Sequence, residues 1–304
     1  MSHKLFISLT MVLIITACAP ATPAPAPTPT PVPATPAPLD EKVDVGGYKL
    51  RIICTGQGTP IVIVDAGYAE PAVESGNWLN VRYGVEKTTR ICVYDRAGLG
   101  WSGVARTQAR TSQDMVEDLH TLLVNANVPG PYILVGHLFG GFNVRLYASQ
   151  YPDEVVGMVL VDSDHPDYEP ETLAVLPPES PGEPDILKSM RTYGLYPDPS
   201  YNPERLDFIA SAAQVRAADP LGDLPLVVLT RSPNPASGCC VDPTLPPDIS
   251  AKMVQVWQDL QIDLTGLSSN STHIVATKAG PFIQVEEPQL VIDAILKVID
   301  EAKK

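Results

Sequence analysis

The chain has 304 residues, 44% of them hydrophobic, and a formal charge of −14. That length and apolar content suffice for one large α/β core and demand no second independent domain. The negative charge repels phosphate backbones and anionic bilayers, which excludes nucleic acid as a partner.

Lys4 precedes the apolar run Leu5 to Ile15, which closes on Ile15-Thr16-Ala17-Cys18, a small-residue cleavage site ending in cysteine. The run is short for a bilayer span. Residues 1–17 read as a signal peptide resembling that of a bacterial lipoprotein, with Cys18 as the lipidated residue; an ordinary signal peptide with an incidental cysteine, or a short anchor, is the alternative. Residues 18–39 are almost only Pro, Ala and Thr, a composition that cannot bury a core and favours extended polyproline II. At about 3.1 Å per residue such a tether reaches on the order of 60 Å. The expected location is extracytoplasmic, lipid-anchored to the cell envelope at the outer face of the plasma membrane or at the outer membrane.

Residues 40–304 carry the folded domain. Val43–Val45 and Tyr48–Cys54 predict a hairpin around Gly46-Gly47. Ile61–Val64, Arg90–Tyr94, Tyr132–Val135, Val155–Val161 and Pro225–Thr230 are continuous apolar runs, the pattern of strands covered on both faces. A last short strand is expected at His273–Thr277. Helices are predicted over Thr111–Asn127, capped by Thr111 or Ser112, and over Phe139–Gln150, Pro247–Gln261 and Pro288–Ala302. Between the sixth and seventh strands, residues 163–223 are rich in proline and carboxylates. They read as a lid over the sheet, with one helix from Pro203, a residue suited to a first helical position, to Ala217.

Four cysteines follow Cys18. Cys54 and Cys92 fall in predicted strands, as buried thiols or as a cross-strand disulfide, in a compartment where disulfides persist. Cys239 and Cys240 are adjacent in a loop and either close on each other or oxidise separately. No His/Cys/Asp spacing matches a metal-ligand set, and no cofactor is implied.

Several motifs stand in order. A glycine loop, Asp65-Ala66-Gly67-Tyr68-Ala69, follows the third strand, and Tyr94-Asp95-Arg96-Ala97-Gly98-Leu99-Gly100-Trp101-Ser102 follows the fourth. Gly136-His137-Leu138-Phe139-Gly140-Gly141 forms a strand-to-helix turn, Leu160-Val161-Asp162 ends a strand, and Ala279-Gly280-Pro281-Phe282-Ile283-Gln284 precedes the last helix. From about Val43 to Lys303 this set resembles the α/β-hydrolase fold family, in its serine esterase and lipase-like form. The resemblance implies a mostly parallel eight-stranded sheet with helices on both faces and a lid after the sixth strand.

The family mechanism requires a serine at a nucleophile elbow, a histidine, an orienting carboxylate and two backbone N–H groups for the oxyanion. Matched position by position, the resemblance puts Leu138 at the nucleophile and Pro281 at the histidine. It gives Asp162 as the candidate acid, with Asp242 or Asp248 as alternatives, and backbone donors from Phe139 and from Gly67 or Tyr68. His137 is expected to point away from the elbow, and it, His120, His165 and His273 are expected to be structural or surface residues and not catalytic. Ser163 beside Asp162 and His165 is a local Ser/Asp/His cluster without elbow geometry. The expectation is therefore a non-hydrolytic, membrane-anchored pseudohydrolase that binds a small apolar or ester-like ligand, or a partner. The alternatives are a working serine hydrolase of the esterase, lipase or amidase type, and a purely structural surface protein.

Overall fold

The computed structural model describes residues 38–104, 108–196, 198–234 and 244–304. The signal segment, Cys18, the tether up to residue 37, Cys239, Cys240 and Asp242 lie outside the described residues. Eight strands among the described residues form one sheet in the order β1-β2-β4-β3-β5-β6-β7-β8. They are β1 Leu39–Asp44, β2 Lys49–Thr55, β3 Ile61–Asp65, β4 Ile91–Asp95, β5 Tyr132–His137, β6 Val155–Val161, β7 Leu226–Thr230 and β8 Ser271–Val275. β1 and β2 run antiparallel to each other, as do β2 and β4; every other pairing is parallel.

The continuous apolar runs are wholly buried because both faces of the sheet are covered. Along β3, Ile61 and Ile63 pack into one core with α2 (Ser112–Asn125) and α3 (Gly140–Gln150). Val62 and Val64 face the other core, built on α1 (Leu79–Val85) and on the apolar stripe of the carboxyl-terminal helix. The same alternation in β5 to β7 divides Leu134, Leu160 and Val228 from Val135, Val161 and Leu229. Cys54 and Cys92 face each other in the antiparallel β2–β4 pair and are joined by a disulfide, their Cα atoms 4.0 Å apart.

Between β6 and β7 lie α4 (Tyr168–Ala174), α5 (Asp185–Tyr193) and α6 (Phe208–Arg216). The expected single helix beginning at Pro203 is corrected: α6 begins at Phe208, where the Asp207 carboxylate caps it by accepting from the Ala210 N–H at 2.9 Å. An aspartate cap supplies the missing acceptor at the first turn, so the helix starts there and not at the proline. Helices α1, α4 and α5 were not foreseen: each is short, and α1 and α4 are interrupted by Gly84 and Pro170. The chain ends with α7 (Pro247–Asp263), α8 (Ile283–Glu286) and α9 (Pro288–Ala302), and β8 sits two residues earlier than predicted.

Candidate functional site

The carboxyl ends of β3 to β7 converge on the turn between β5 and α3. Leu138 sits there with φ +45°, the left-handed region that a branched residue avoids. The turn is tight because the neighbouring glycines permit it: a Cβ on Gly136 would stand 2.6 Å from Val144 Cγ2, and one on Gly140 would collide with the Asp65 carbonyl. The Leu138 carbonyl accepts from the Gly141 N–H at 2.9 Å and the Asp164 N–H at 3.0 Å, which pins the elbow to α3 and to the end of β6. The side chain is half-buried and reaches over the β3 loop, its Cδ1 3.3 Å from the point a Gly67 Cβ would occupy. An alkyl group thus occupies the summit of the turn and offers no lone pair for attack.

Among the described residues, no acceptor meets the N–H groups of Tyr68, in the β3 loop, or of Phe139, which follows Leu138. These two can form an oxyanion pair. Gly67 cannot contribute, because its N–H donates to Glu70 Oε2 at 2.9 Å; of the two β3-loop donors expected, Tyr68 alone is available.

His137 is fully buried beneath the elbow, with Nδ1 2.8 Å from Glu70 Oε2 and Nε2 2.9 Å from the Pro281 carbonyl. Both ring nitrogens face acceptors, which suits an imidazolium donating twice. Burial pushes the Glu70 carboxyl up, but the adjacent His137 charge and hydrogen bond, helped by the Gly67 N–H, outweigh this and hold it at about 2. Burial presses His137 down, and its bond to Glu70 and that carboxylate's charge more than reverse the effect. The two side chains form a buried pair that is ionic when the imidazole is protonated. It brings the Pro281 loop to the elbow, but Pro281 itself presents only a carbonyl and a ring without an N–H.

Asp162 ends β6 with φ +46° and is fully buried. Its Oδ1 accepts from Trp257 Nε1 at 2.8 Å and from the Arg231 N–H at 3.1 Å, and the Arg231 guanidinium lies 3.4 Å from Oδ2. Burial raises its pKa against the pull of Arg231. Asp248 stands on the solvent side of the first turn of α7, beside Lys252, and is removed as a candidate acid. The Ser163 hydroxyl donates to the Asp164 carbonyl at 2.9 Å, and His165 Nε2 lies 3.1 Å from Asp263, so Ser163, Asp162 and His165 do not form a triad. His273 bonds Thr230 at 2.7 Å, and His120 stacks on Tyr151 with centroids 4.1 Å apart.

Three groups that the motifs did not single out shape the site. Arg96, 3% exposed, lies between Asp65 and Glu204, each wholly buried. It donates to Asp65 at 2.5 Å, to Glu204 at 2.6 and 3.0 Å, and to the carbonyls of Ala66 and Gly67 at 2.5 and 2.6 Å. Glu204, from the segment between β6 and β7, also accepts the Ala69 N–H at 2.8 Å. The loop carrying Tyr68 is therefore clamped from both ends. Asp164, 8% exposed, makes no side-chain hydrogen bond among the described residues, and burial together with repulsion from Asp162 pushes its carboxyl up to about 7. Phe208 of α6 roofs the elbow, meeting Tyr68 and Phe139 edge-on with centroids 5.2 and 5.3 Å away. Among the described residues, no group of three or more His, Cys, Asp or Glu side chains is placed to hold a metal ion.

A family model described as alpha/beta hydrolase fold matches residues 59–187. The uncharacterized protein YqjL of Bacillus subtilis is 28% identical over 243 residues, covering 80% of this chain and 85% of that protein. A monoacylglycerol lipase of Mycolicibacterium smegmatis is 36% identical over 107 residues, 33% of this chain and 36% of the lipase. Among solved structures, mouse alpha/beta hydrolase domain-containing protein 10 superposes with a TM-score of 0.57 at 19% identity, covering 84% of this chain and 95% of that one, a likeness of fold.

Proposed function

We propose that the chain, whose residues 59–187 match a family model described as alpha/beta hydrolase fold, is a lipid-anchored extracytoplasmic protein that binds a small apolar or ester-like ligand without hydrolysing it. The observation that carries this reading is the elbow itself, where Leu138 stands at φ +45° beside the β3 loop and the N–H groups of Tyr68 and Phe139 meet no acceptor among the described residues. A ligand carbonyl oxygen can take those two hydrogen bonds while its apolar portion rests on Leu138 and under Phe208. No serine is presented for acylation at the elbow, and the position in the loop before helix α8 that would carry the imidazole is Pro281. Loss of the nucleophile removes several orders of magnitude of rate, and loss of its partner adds little because the two act as a unit.

The test is hydrolysis of short and medium p-nitrophenyl acyl esters by the chain as it stands and by the double variant Leu138→Ser/Pro281→His. The expected result is no turnover above background by the former and measurable turnover by the latter, which would also place Asp162 or a neighbour as the orienting acid. Turnover by the unaltered chain would overturn the proposal and direct attention to a nucleophile elsewhere.

A further inference from the structure

The segment between β6 and β7 holds a second cavity, a solvent-facing cleft of about 480 Å³ on the outer side of Phe208. Its walls are aromatic: Tyr193, Tyr196, Tyr201 and Phe208. Tyr196 and Phe208 stack in parallel, with centroids 4.3 Å apart and planes within 5°. Tyr193 is 78% and Tyr201 87% exposed, so two large rings stand in water on the rim, joined by Ile209 at 59%. Packing of the domain does not account for such a patch, and contiguous exposed apolar surface around a cavity marks a binding surface.

Its charge is of one sign. Glu169, Asp198 and Asp207 line the cleft, and no Lys, Arg or His side chain does so among the described residues. Of the basic side chains of this segment, Arg191 pairs with Glu183, Arg216 with Asp167 and Lys188 with Asp185, while Arg205 donates to the Ser200 carbonyl and lines an adjoining cavity with Asp198 and Pro199. Each cleft carboxylate is steadied by a backbone N–H on one oxygen, from Leu195, Ser200 and Ala210 respectively. The Ser200 hydroxyl and N–H together hold the Asp198 carboxyl below the usual range. The three carboxylates are not gathered closely enough to chelate a metal ion. A diffuse negative field inside aromatic walls suits a large, weakly hydrated cation, whose charge the ring faces and carboxylates share.

We propose that this cleft is a binding site for a small, freely soluble organic cation of the trimethylammonium class, separate from the elbow site and sharing with it only the Phe208 wall. A neutral ligand of the same shape would leave the carboxylates uncompensated, and an anion would be repelled.

The experiment is calorimetric titration of the full chain at low ionic strength with choline chloride and, in parallel, with 3,3-dimethylbutan-1-ol, its uncharged isostere. Choline is expected to bind saturably with one site and at least about tenfold more tightly than the isostere, and to weaken in high salt. Tyr193→Ala/Tyr201→Ala and, separately, Asp198→Asn are expected to weaken choline by about fivefold or more while leaving the circular dichroism spectrum unchanged. The tyrosine pair is rim-exposed, so its loss tests the site without testing the core. Equal binding of the two probes, absence of saturable choline binding up to about 10 mM, or wild-type affinity in the folded tyrosine variant would each overturn the proposal. Sedimentation with phosphatidylcholine vesicles that free choline does not compete would overturn the soluble source in favour of a lipid headgroup.

Discussion

Leu138 and Gly67 meet across the elbow: the leucine Cδ1 lies 3.3 Å from where a Cβ on the glycine would stand. The leucine therefore occupies a space bounded by the β3 loop while its own backbone is held at positive φ. These two facts oppose each other energetically. A left-handed conformation costs a non-glycine residue about 1–2 kcal/mol, whereas truncating a half-buried side chain forfeits apolar contact. Leu138→Gly is accordingly expected to be more stable than Leu138→Ala by about 1 kcal/mol, since only glycine relieves the backbone. Urea denaturation of both variants checks this, and a more stable alanine would show that the turn relaxes.

Glu204 is the point at which the inserted segment grips the β3 loop through Arg96 and the Ala69 N–H. Glu204→Gln leaves Arg96 with Asp65 as its remaining carboxylate in a buried network, and it is expected to destabilise the domain by about 3–5 kcal/mol. The local readout is more telling than the global one. Hydrogen exchange of the 66–69 amides should accelerate together with that of α6, more than exchange in β5 and β6, whereas a uniform increase would mean that Glu204 supports the core without positioning the loop.

Asp164 supplies a pH dependence whose sign is fixed by its raised pKa. Between the ordinary aspartate value of 3.8 and the folded value of about 7 the folded chain holds a proton that the unfolded chain has released, so stability falls as pH rises across that interval. Asp164→Asn removes the loss. It should match the wild type near pH 4 and exceed it by up to roughly 4 kcal/mol at pH 8, from about three pKa units at 1.36 kcal/mol each. Denaturant melts at the two pH values decide the matter, and equal gains at both would place the effect in packing.

The disulfide between Cys54 and Cys92 closes a segment with a sequence separation of 38 residues. Chain-entropy reasoning gives such a loop a stabilisation of about 3–4 kcal/mol. The Cys54→Ala/Cys92→Ala variant is expected to lose about that much in denaturant melts, while its β3–β8 parallel sheet remains folded by circular dichroism.

The parallel core was legible because strands buried on both faces leave continuous apolar runs such as Ile61–Val64 and Val155–Val161, and α9 was legible from its amphipathic spacing between Pro288 and Ala302. The elbow was legible because its glycines and the residues at 138 and 281 lie within short local motifs. The polar framework was not. Glu70 and His137 are 67 residues apart and Ala69 and Glu204 are 135 apart, so no local pattern announces their pairing. Glu204 sits in a proline-rich stretch where a carboxylate ordinarily faces water. The partners of His137 were not legible because strand alternation alone does not reveal that a carbonyl from residue 281 waits beneath the turn. One cue was available: a buried-looking histidine ending an apolar strand needs partners for both nitrogens, and Glu70 lies only three residues beyond Gly67.

The register at the amino-terminal edge of the sheet gives the domain a direction of presentation. Leu39 pairs with Cys54, which pairs with Cys92 near the beginning of β4, whereas the elbow, Asp162 and Arg231 all follow the carboxyl ends of their strands. The polypeptide thus enters the domain at the floor, and the candidate site opens at the ceiling, a full strand length away.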